Sequence, residues 1–189
     1  MTRDPLRVAA FCAYLAAWVV FAVGAVVSGL PQIRKQAASP GSLRIQPATA
    51  VGTLLQIASA MAITFFLGSG PLRPERSELA GALVLAPLAA AVFAWAVISA
   101  SQRGGAEVLV TRGAYAWIRH PMYLAFLGML VATGLLASNR IRLAVAVFMY
   151  LAGSELRIVT EDRTLAVKFG SEYQQYRLRT RWRYLPGLR

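Results

Sequence analysis

Residues 79–102 read LAGALVLAPLAAAVFAWAVISASQ, a run of 24 positions without a charged side chain. A helix needs about 20 mostly apolar residues to cross the hydrocarbon core of a bilayer. Three other uncharged runs meet that length, at residues 8–33, 45–72 and 121–139. A shorter run at residues 143–154 is extended by Ile141 and flanked by arginines that can reach the membrane surface. The pattern predicts five transmembrane helices, the fifth continuing past the lipid to about Lys168, with four spans and a peripheral helix as the alternative.

The composition agrees with a membrane protein. Hydrophobic residues make up 57% of the chain and charged residues 15%, whereas soluble domains carry about 25% charged residues. We therefore expect an all-α, polytopic membrane protein and exclude a disordered, fibrous or disulfide-stapled chain. Cys12 is the single cysteine and His120 the single histidine. These counts exclude an intrachain disulfide, a cysteine zinc site and a two-histidine metal site, so we expect no metal.

The net charge of +12 has two explanations. In a soluble protein it would suggest nucleic acid, but cytoplasmic segments of membrane proteins also accumulate Lys and Arg. In the five-span topology, 14 of the 20 basic residues lie on the side of the C-terminal tail. We therefore predict an outside N-terminus, a cytoplasmic C-terminus and no nucleic-acid partner. Because the chain is rich in Arg and poor in Lys, we expect the inner membrane of a GC-rich bacterium.

The unusual polar residues gather in the second half of the chain. We predict one membrane domain, with a three-span part at residues 1–102 and a cofactor-binding part at residues 103–189.

Arg119, His120 and Pro121 precede and enter the fourth span. Proline suits the first turn of a helix, and the free N–H groups and dipole of a helix N-terminus favour anions. Together with the Arg119 guanidinium, this start predicts a site for a carboxylate or phosphate. The alternative is that these residues only touch lipid headgroups.

Glu161 and Asp162 lie on the predicted continuation of the fifth helix. Acidic groups near a bilayer are costly without partners or a function. Two adjacent carboxylates can bind a ribose diol, as the acidic residue of dinucleotide folds does. The alternative is a solvated helix with local ion pairs, such as one between Arg157 and Glu161 at four-residue spacing.

Gly170 is predicted to end that helix, and Ser171 with Gln174 forms a capping box for the next one. Tyr173 and Tyr176 share a face of the new helix and can stack on a purine ring. The arginines that follow favour binding to anionic lipid.

These residues resemble a known family. The stretch Gly113-Ala114-Tyr115-x-x-x-Arg119-His120-Pro121-x-Tyr123, then Glu161-Asp162-x-x-Leu165-x-x-x-Phe169-Gly170-x-x-Tyr173-x-x-Tyr176 and Arg183-x-Leu185-Pro186, is similar to the isoprenylcysteine carboxyl methyltransferase family of integral membrane methyltransferases. Asp162 stands where the family often has a second Glu, and Ala114 replaces a frequent Pro.

The resemblance implies an enzyme that uses S-adenosylmethionine, with the cofactor held at the cytosolic face by a helical C-terminal tail. It implies cofactor contacts from His120, Pro121, Tyr123, Glu161, Asp162, Tyr173 and Tyr176. It also implies that Arg119 orients the acceptor and that Arg119 and Glu161 serve as the catalytic residues.

The methyl acceptor is expected to be lipophilic, such as an isoprenoid-type or other lipid-linked carboxylate, with membrane lipids as surroundings. Two alternatives remain at this point: an N-methyltransferase acting on phospholipid amines, and an NADPH-dependent enzyme similar to sterol reductases. A small transporter or scaffold is a third class, although the uncharged spans argue against ion transport. The sequence leaves the oligomeric state open.

Overall fold

The computed structural model describes residues 4–38, 47–64, 73–102, 108–184 and 187, with the side chains of residues 28–38 and 64 left out. The described residues form six helices. They are α1 (Pro5–Ala38), α2 (Pro47–Thr64), α3 (Arg76–Ser101), α4 (Ala114–Trp117), α5 (Pro121–Ala137) and α6 (Arg140–Arg179). The all-α prediction is confirmed.

Five of these helices are apolar, in agreement with the predicted spans. By length and composition, α1 over Pro5–Val27, α3 and α6 can cross a membrane, and α2 and α5 are shorter apolar helices. The ends of the predicted second span, and residues 185 and 186 of the family-like motif, lie outside the described residues. The chain is therefore an integral membrane protein built on an apolar helical bundle.

The helices pack in two groups that share α5. Helix α3 packs between α1 and α5, and α2 packs along α6. The core of the first group consists mainly of small and aromatic residues, and the rings of Phe21 and Phe93 stack with 4.3 Å between their centroids. In the second group, Gly52 and Gly153 allow close contact, since a Cβ on either would lie 2.6 Å from the other's carbonyl oxygen. Small residues thus bring the backbones of α2 and α6 together, as is common in membrane bundles.

The two ends of the bundle differ in chemistry. At one end, Ser138 after α5 donates to Glu78 of α3 at 2.8 Å, and Arg140 lies 3.9 Å from the same carboxylate. At the other end lie the start of α5, the polar half of α6 and the C-terminal tail. Gly170 has non-helical dihedrals (φ 51°, ψ −122°) and divides α6 into a long and a short part, as its position in the sequence predicts.

Candidate functional site

The start of α5 is held by the C-terminal tail. His120 occupies the N-cap position and Pro121 the first turn, as predicted. The backbone N–H of Arg119 donates to the carbonyl of Trp182 at 3.0 Å, and that of His120 donates to the carbonyl of Arg183 at 2.7 Å. The tail therefore fixes the segment that leads into α5.

Asp162 is the acceptor around which the site is organised. Its Oδ2 accepts from Arg119 Nη1 at 3.2 Å, and its Oδ1 accepts from His120 Nε2 at 3.0 Å and from the Tyr173 hydroxyl. The side chains of Arg119 and His120 are each 4% exposed and that of Asp162 is 10% exposed. We call these four residues the Asp162 cluster.

The electrostatics of the cluster fix its protonation. Burial alone would raise the pKa of Asp162, but the hydrogen bonds from His120 and Tyr173 and the charge of Arg119 outweigh it and lower the pKa to about 2. An ionised carboxylate only accepts hydrogen bonds, so His120 Nε2 must carry a hydrogen in this contact. Nδ1 of the same ring then faces Glu161, with 3.6 Å to its Oε2.

Two more contacts join the short part of α6 and the tail to α4. The Tyr176 hydroxyl donates to the carbonyl of Tyr115 at 2.8 Å, and the Thr180 hydroxyl donates to that of Ala116 at 3.2 Å. Burial, together with the nearby Tyr173, raises the pKa of Tyr176. Its hydroxyl therefore stays protonated and keeps donating at neutral pH.

Glu155 attaches the end of the tail to α6. It accepts from Arg183 Nη1 at 2.8 Å and from the Tyr184 hydroxyl at 3.0 Å. Burial, helped by the Glu155 charge, raises the pKa of Tyr184 to about 12, so the hydroxyl remains a donor. Sequence reasoning had not assigned this role to Glu155.

A cavity of about 580 Å³, here called the polar cavity, lies beside the Asp162 cluster. Its polar lining includes Arg119, His120, Glu161 and the first turn of α5. Its apolar and aromatic lining includes Val108, Leu109, Val110, Leu165, Phe169 and Tyr176. Glu161 has a side chain that is 49% exposed and accepts from the Tyr123 hydroxyl at 3.3 Å. Of the adjacent acidic residues Glu161 and Asp162, Glu161 is therefore the one that faces the cavity.

A second cavity of about 290 Å³, here called the apolar cavity, lies within the bundle between α1, α2, α5 and α6. On α5 it is lined from Tyr123 to Thr133, which is about 15 Å along the helix. Trp18, Ile57 and Phe126 line it while remaining 42%, 51% and 41% exposed, so it reaches the lipid-facing surface.

Arg157 lies at the Tyr123 end of the apolar cavity. Its Nη1 donates to Gln56 Oε1 at 2.7 Å, and its guanidinium carbon lies 5.4 Å from the centroid of the Tyr123 ring. Gln56 in turn donates to Ser154 at 2.9 Å. The buried Nε of Arg157 has no hydrogen-bond partner among the described atoms, and Arg157 is a charged residue of the cavity lining.

The structure thus sorts the predicted site residues into two groups. Arg119, His120, Pro121, Tyr123, Glu161 and Tyr176 line the polar cavity. Asp162 and Tyr173 are not among its lining residues and lie in the buried cluster behind it. The ion pair considered between Arg157 and Glu161 is not found among the described residues, because Arg157 turns to Gln56 of α2 instead.

Sequence reasoning missed three features of the site. Arg157 was considered only as a local ion-pair partner, although a lone arginine on the segment that leaves a span was a usable signal. The strip 108–110 was not considered, and nothing local in its sequence indicates a cavity wall. The tail contact of Glu155 depends on residues 28 and 29 positions away.

Fold and site together define a polytopic helical membrane protein with a polar cavity at one end of its bundle and an apolar cavity inside it. Residues 79–167 match the model of the isoprenylcysteine carboxyl methyltransferase (ICMT) family. Two curated proteins, each named protein-S-isoprenylcysteine O-methyltransferase, are similar to part of the chain. The one from Schizosaccharomyces pombe is 36% identical over 80 residues, which are 42% of this chain and 34% of that protein. The one from Saccharomyces cerevisiae is 37% identical over 71 residues, 38% of this chain and 30% of that protein.

Residues 79–167, a little under half of the chain, are therefore similar to the isoprenylcysteine carboxyl methyltransferase family. The matched segments span about a third of the length of these curated relatives. The family match includes α5 with its N-cap His120, and α6 as far as residue 167, so it also covers Tyr123, Arg157 and Glu161.

Proposed function

We propose that this protein is a membrane methyltransferase that uses S-adenosylmethionine to methylate the carboxylate of a lipophilic, isoprenoid-type acceptor. The observation that carries the proposal is that the polar and apolar cavities share one wall residue, Tyr123. A water-soluble donor and a lipid-soluble acceptor need separate compartments that meet at one point. The names of the two yeast relatives support the same chemistry.

The residues of the polar cavity suit S-adenosylmethionine. A volume of about 580 Å³ lies within the range of small-molecule sites. Leu109, Phe169 and Tyr176 offer an apolar and aromatic surface for the adenine ring. Glu161 offers an acceptor for a ribose diol or an ammonium group, and the start of α5 attracts a carboxylate.

When bound, S-adenosylmethionine supplies a methyl group on a positively charged sulfur. An ionised carboxylate acceptor needs no general base, so the protein's task is to orient the acceptor and exclude water. Arg157 meets the first requirement because its guanidinium lies in the apolar cavity next to the shared Tyr123 wall. We therefore assign the orientation of the acceptor carboxylate to Arg157 rather than to Arg119, which is paired with Asp162.

The Asp162 cluster acts as the support of this site. Asp162 and Tyr173 hold Arg119 and His120 in place, so that His120 presents Nδ1 toward Glu161. In this proposal Asp162 and Tyr173 position the cofactor-binding residues, and Glu161, His120 and Tyr123 contact the cofactor.

The proposal also includes a location. With the polar cavity facing the cytoplasm, where S-adenosylmethionine is available, the C-terminal tail is cytoplasmic and the N-terminus lies outside. The excess of basic residues on the tail side supports this orientation, and the bacterial inner membrane remains the proposed location. A reporter enzyme that works only in the cytoplasm should be active when it is fused to the C-terminus. Activity of a C-terminal reporter that works only outside the cytoplasm would refute the orientation.

Ligand-dependent thermal stability tests the cofactor. The purified protein in detergent should be stabilised by S-adenosylhomocysteine and not by NADPH, since only a ligand of the native state raises the unfolding temperature. The shift should disappear in His120→Ala and Glu161→Ala and persist in Glu172→Gln, an exposed carboxylate of the same helix end. Stabilisation by NADPH alone would support a reductase and overturn the proposal.

A further inference from the structure

A third cavity, of about 580 Å³, lies on the tail side of Arg119 and belongs to neither of the two cavities described above. Its lining consists of Arg119, Gln174, Arg177, Leu178 and Arg181. Three of these five residues are arginines and none is acidic. We call it the basic cavity.

The positive charge of the basic cavity is mostly uncompensated. Within the described part of the chain, Arg177 and Arg181 form no ion pair with a carboxylate, and Arg119 pairs with Asp162 through Nη1. The Nε of Arg119 is buried without a hydrogen-bond partner among the described atoms. Guanidinium groups gathered without counter-charge repel one another, so an anion bound between them would be stabilised.

The chemistry of the lining indicates which anion fits. Guanidinium groups bind phosphate through paired, charge-assisted hydrogen bonds. Leu178 is 76% exposed and lines the cavity, and Trp182 a few residues later is 40% exposed. Exposed Leu and Trp beside arginines are typical of a segment at the membrane–water interface.

We propose that the basic cavity binds the phosphate group of an anionic ligand, and that the headgroup of an anionic phospholipid is its source. Arg119 lines both the basic and the polar cavity. A phosphate bound there would contact Arg119 and so stabilise the Asp162 cluster. This inference does not depend on the methyl-transfer proposal, since Arg177 and Arg181 line neither the polar nor the apolar cavity.

The test compares two double variants of equal charge. Arg177→Gln with Arg181→Gln removes the two exposed arginines of the basic cavity. Arg163→Gln with Arg179→Gln removes two exposed arginines that do not line it. Each protein is titrated in neutral maltoside micelles with phosphatidylglycerol, and bound lipid is counted by native mass spectrometry. Unfolding temperatures without lipid confirm that the variants fold.

Wild type and the Arg163/Arg179 variant should bind phosphatidylglycerol equally, and the Arg177/Arg181 variant should bind it about tenfold more weakly or worse, because two charge-assisted contacts are lost. Phosphatidylcholine should not replace it. If inorganic phosphate competes at similar concentrations, the phosphate site stands and its source is a free phosphate. Equal weakening in both double variants, or no bound lipid and no effect of phosphate in the wild type, would overturn the proposal.

Discussion

Replacing Asp162 by Asn is the sharpest test of the cluster that supports the site. The substitution keeps the size of the side chain and removes the charge that balances Arg119, whose side chain is 4% exposed. At least one of the three hydrogen bonds to the carboxylate also loses its acceptor, because the amide NH₂ that replaces one oxygen cannot accept a hydrogen bond.

Two estimates set the range of the cost. Holding the carboxyl pKa at about 2 instead of its usual 3.8 corresponds to about 2 kcal/mol of folding free energy at neutral pH. Removing one partner of a buried ion pair costs about 3–5 kcal/mol. We expect Asp162→Asn to destabilise the protein by about 2–4 kcal/mol. For a chain of this size, that lowers the unfolding temperature by about 4–16 °C.

The measurement is thermal unfolding of the detergent-solubilised protein, with Glu172→Gln as the matched control. Glu172 is exposed on the same helix and forms no ion pair with any described residue, so its change should cost less than about 0.5 kcal/mol. A similar small shift in both variants would show that the Asp162 cluster contributes nothing to stability, and the argument built on it would fail.

The pH dependence gives a second readout of the same carboxylate. The native state depresses the pKa of Asp162, so its contribution is complete above about pH 4 and is lost as the pH falls toward 2. The difference in unfolding temperature between wild type and Asp162→Asn should be constant from pH 7 to about pH 5 and shrink below about pH 4. A difference that persists unchanged at about pH 2.5 would refute the assigned cause.

Three further substitutions probe the polar cavity and its supports. Glu161→Gln should weaken S-adenosylhomocysteine binding about tenfold while shifting the unfolding temperature by less than about 3 °C, because its carboxylate is half-exposed. Calorimetric titration measures the affinity, and an unchanged affinity would contradict the prediction. Glu155→Gln should release the tail by weakening its bonds to Arg183 and Tyr184, and trypsin should then cleave the tail faster than in wild type, whereas equal rates would argue against the attachment. Gly170→Ala should cost about 1–3 kcal/mol, because φ 51° with ψ −122° suits only glycine, and no loss of thermal stability would count against a fixed break at this position.

The sequence predicts the elements of this fold well because each signal is local. Uncharged runs mark the spans, Pro121 marks the start of α5, and Gly170 marks the break in α6. These features depend on helix length, on a missing N–H and on a positive φ, all of which are properties of one residue or one segment.

The arrangement of the site was less predictable because it depends on which helices pack together. His120 and Asp162 are 42 positions apart, and their contact at 3.0 Å follows from the packing of α5 on α6. Arg157 has an acidic residue one turn away, yet it bonds to Gln56 at a separation of 101 positions. Helix periodicity predicts the first kind of pair and contains no information on the second.

Methyl transfer by the purified protein tests the central claim most directly. The protein is incubated with S-adenosylmethionine labelled on its methyl group and with an S-farnesylcysteine derivative that has a free carboxylate. The account predicts labelled product that releases methanol in base, as a methyl ester does, with the rate falling at least about tenfold in Arg157→Gln through loss of a charge-assisted contact. The control Arg163→Gln should retain the wild-type rate. Label that is stable to base, label transferred only to phospholipid amines, or a full rate in Arg157→Gln would contradict the account.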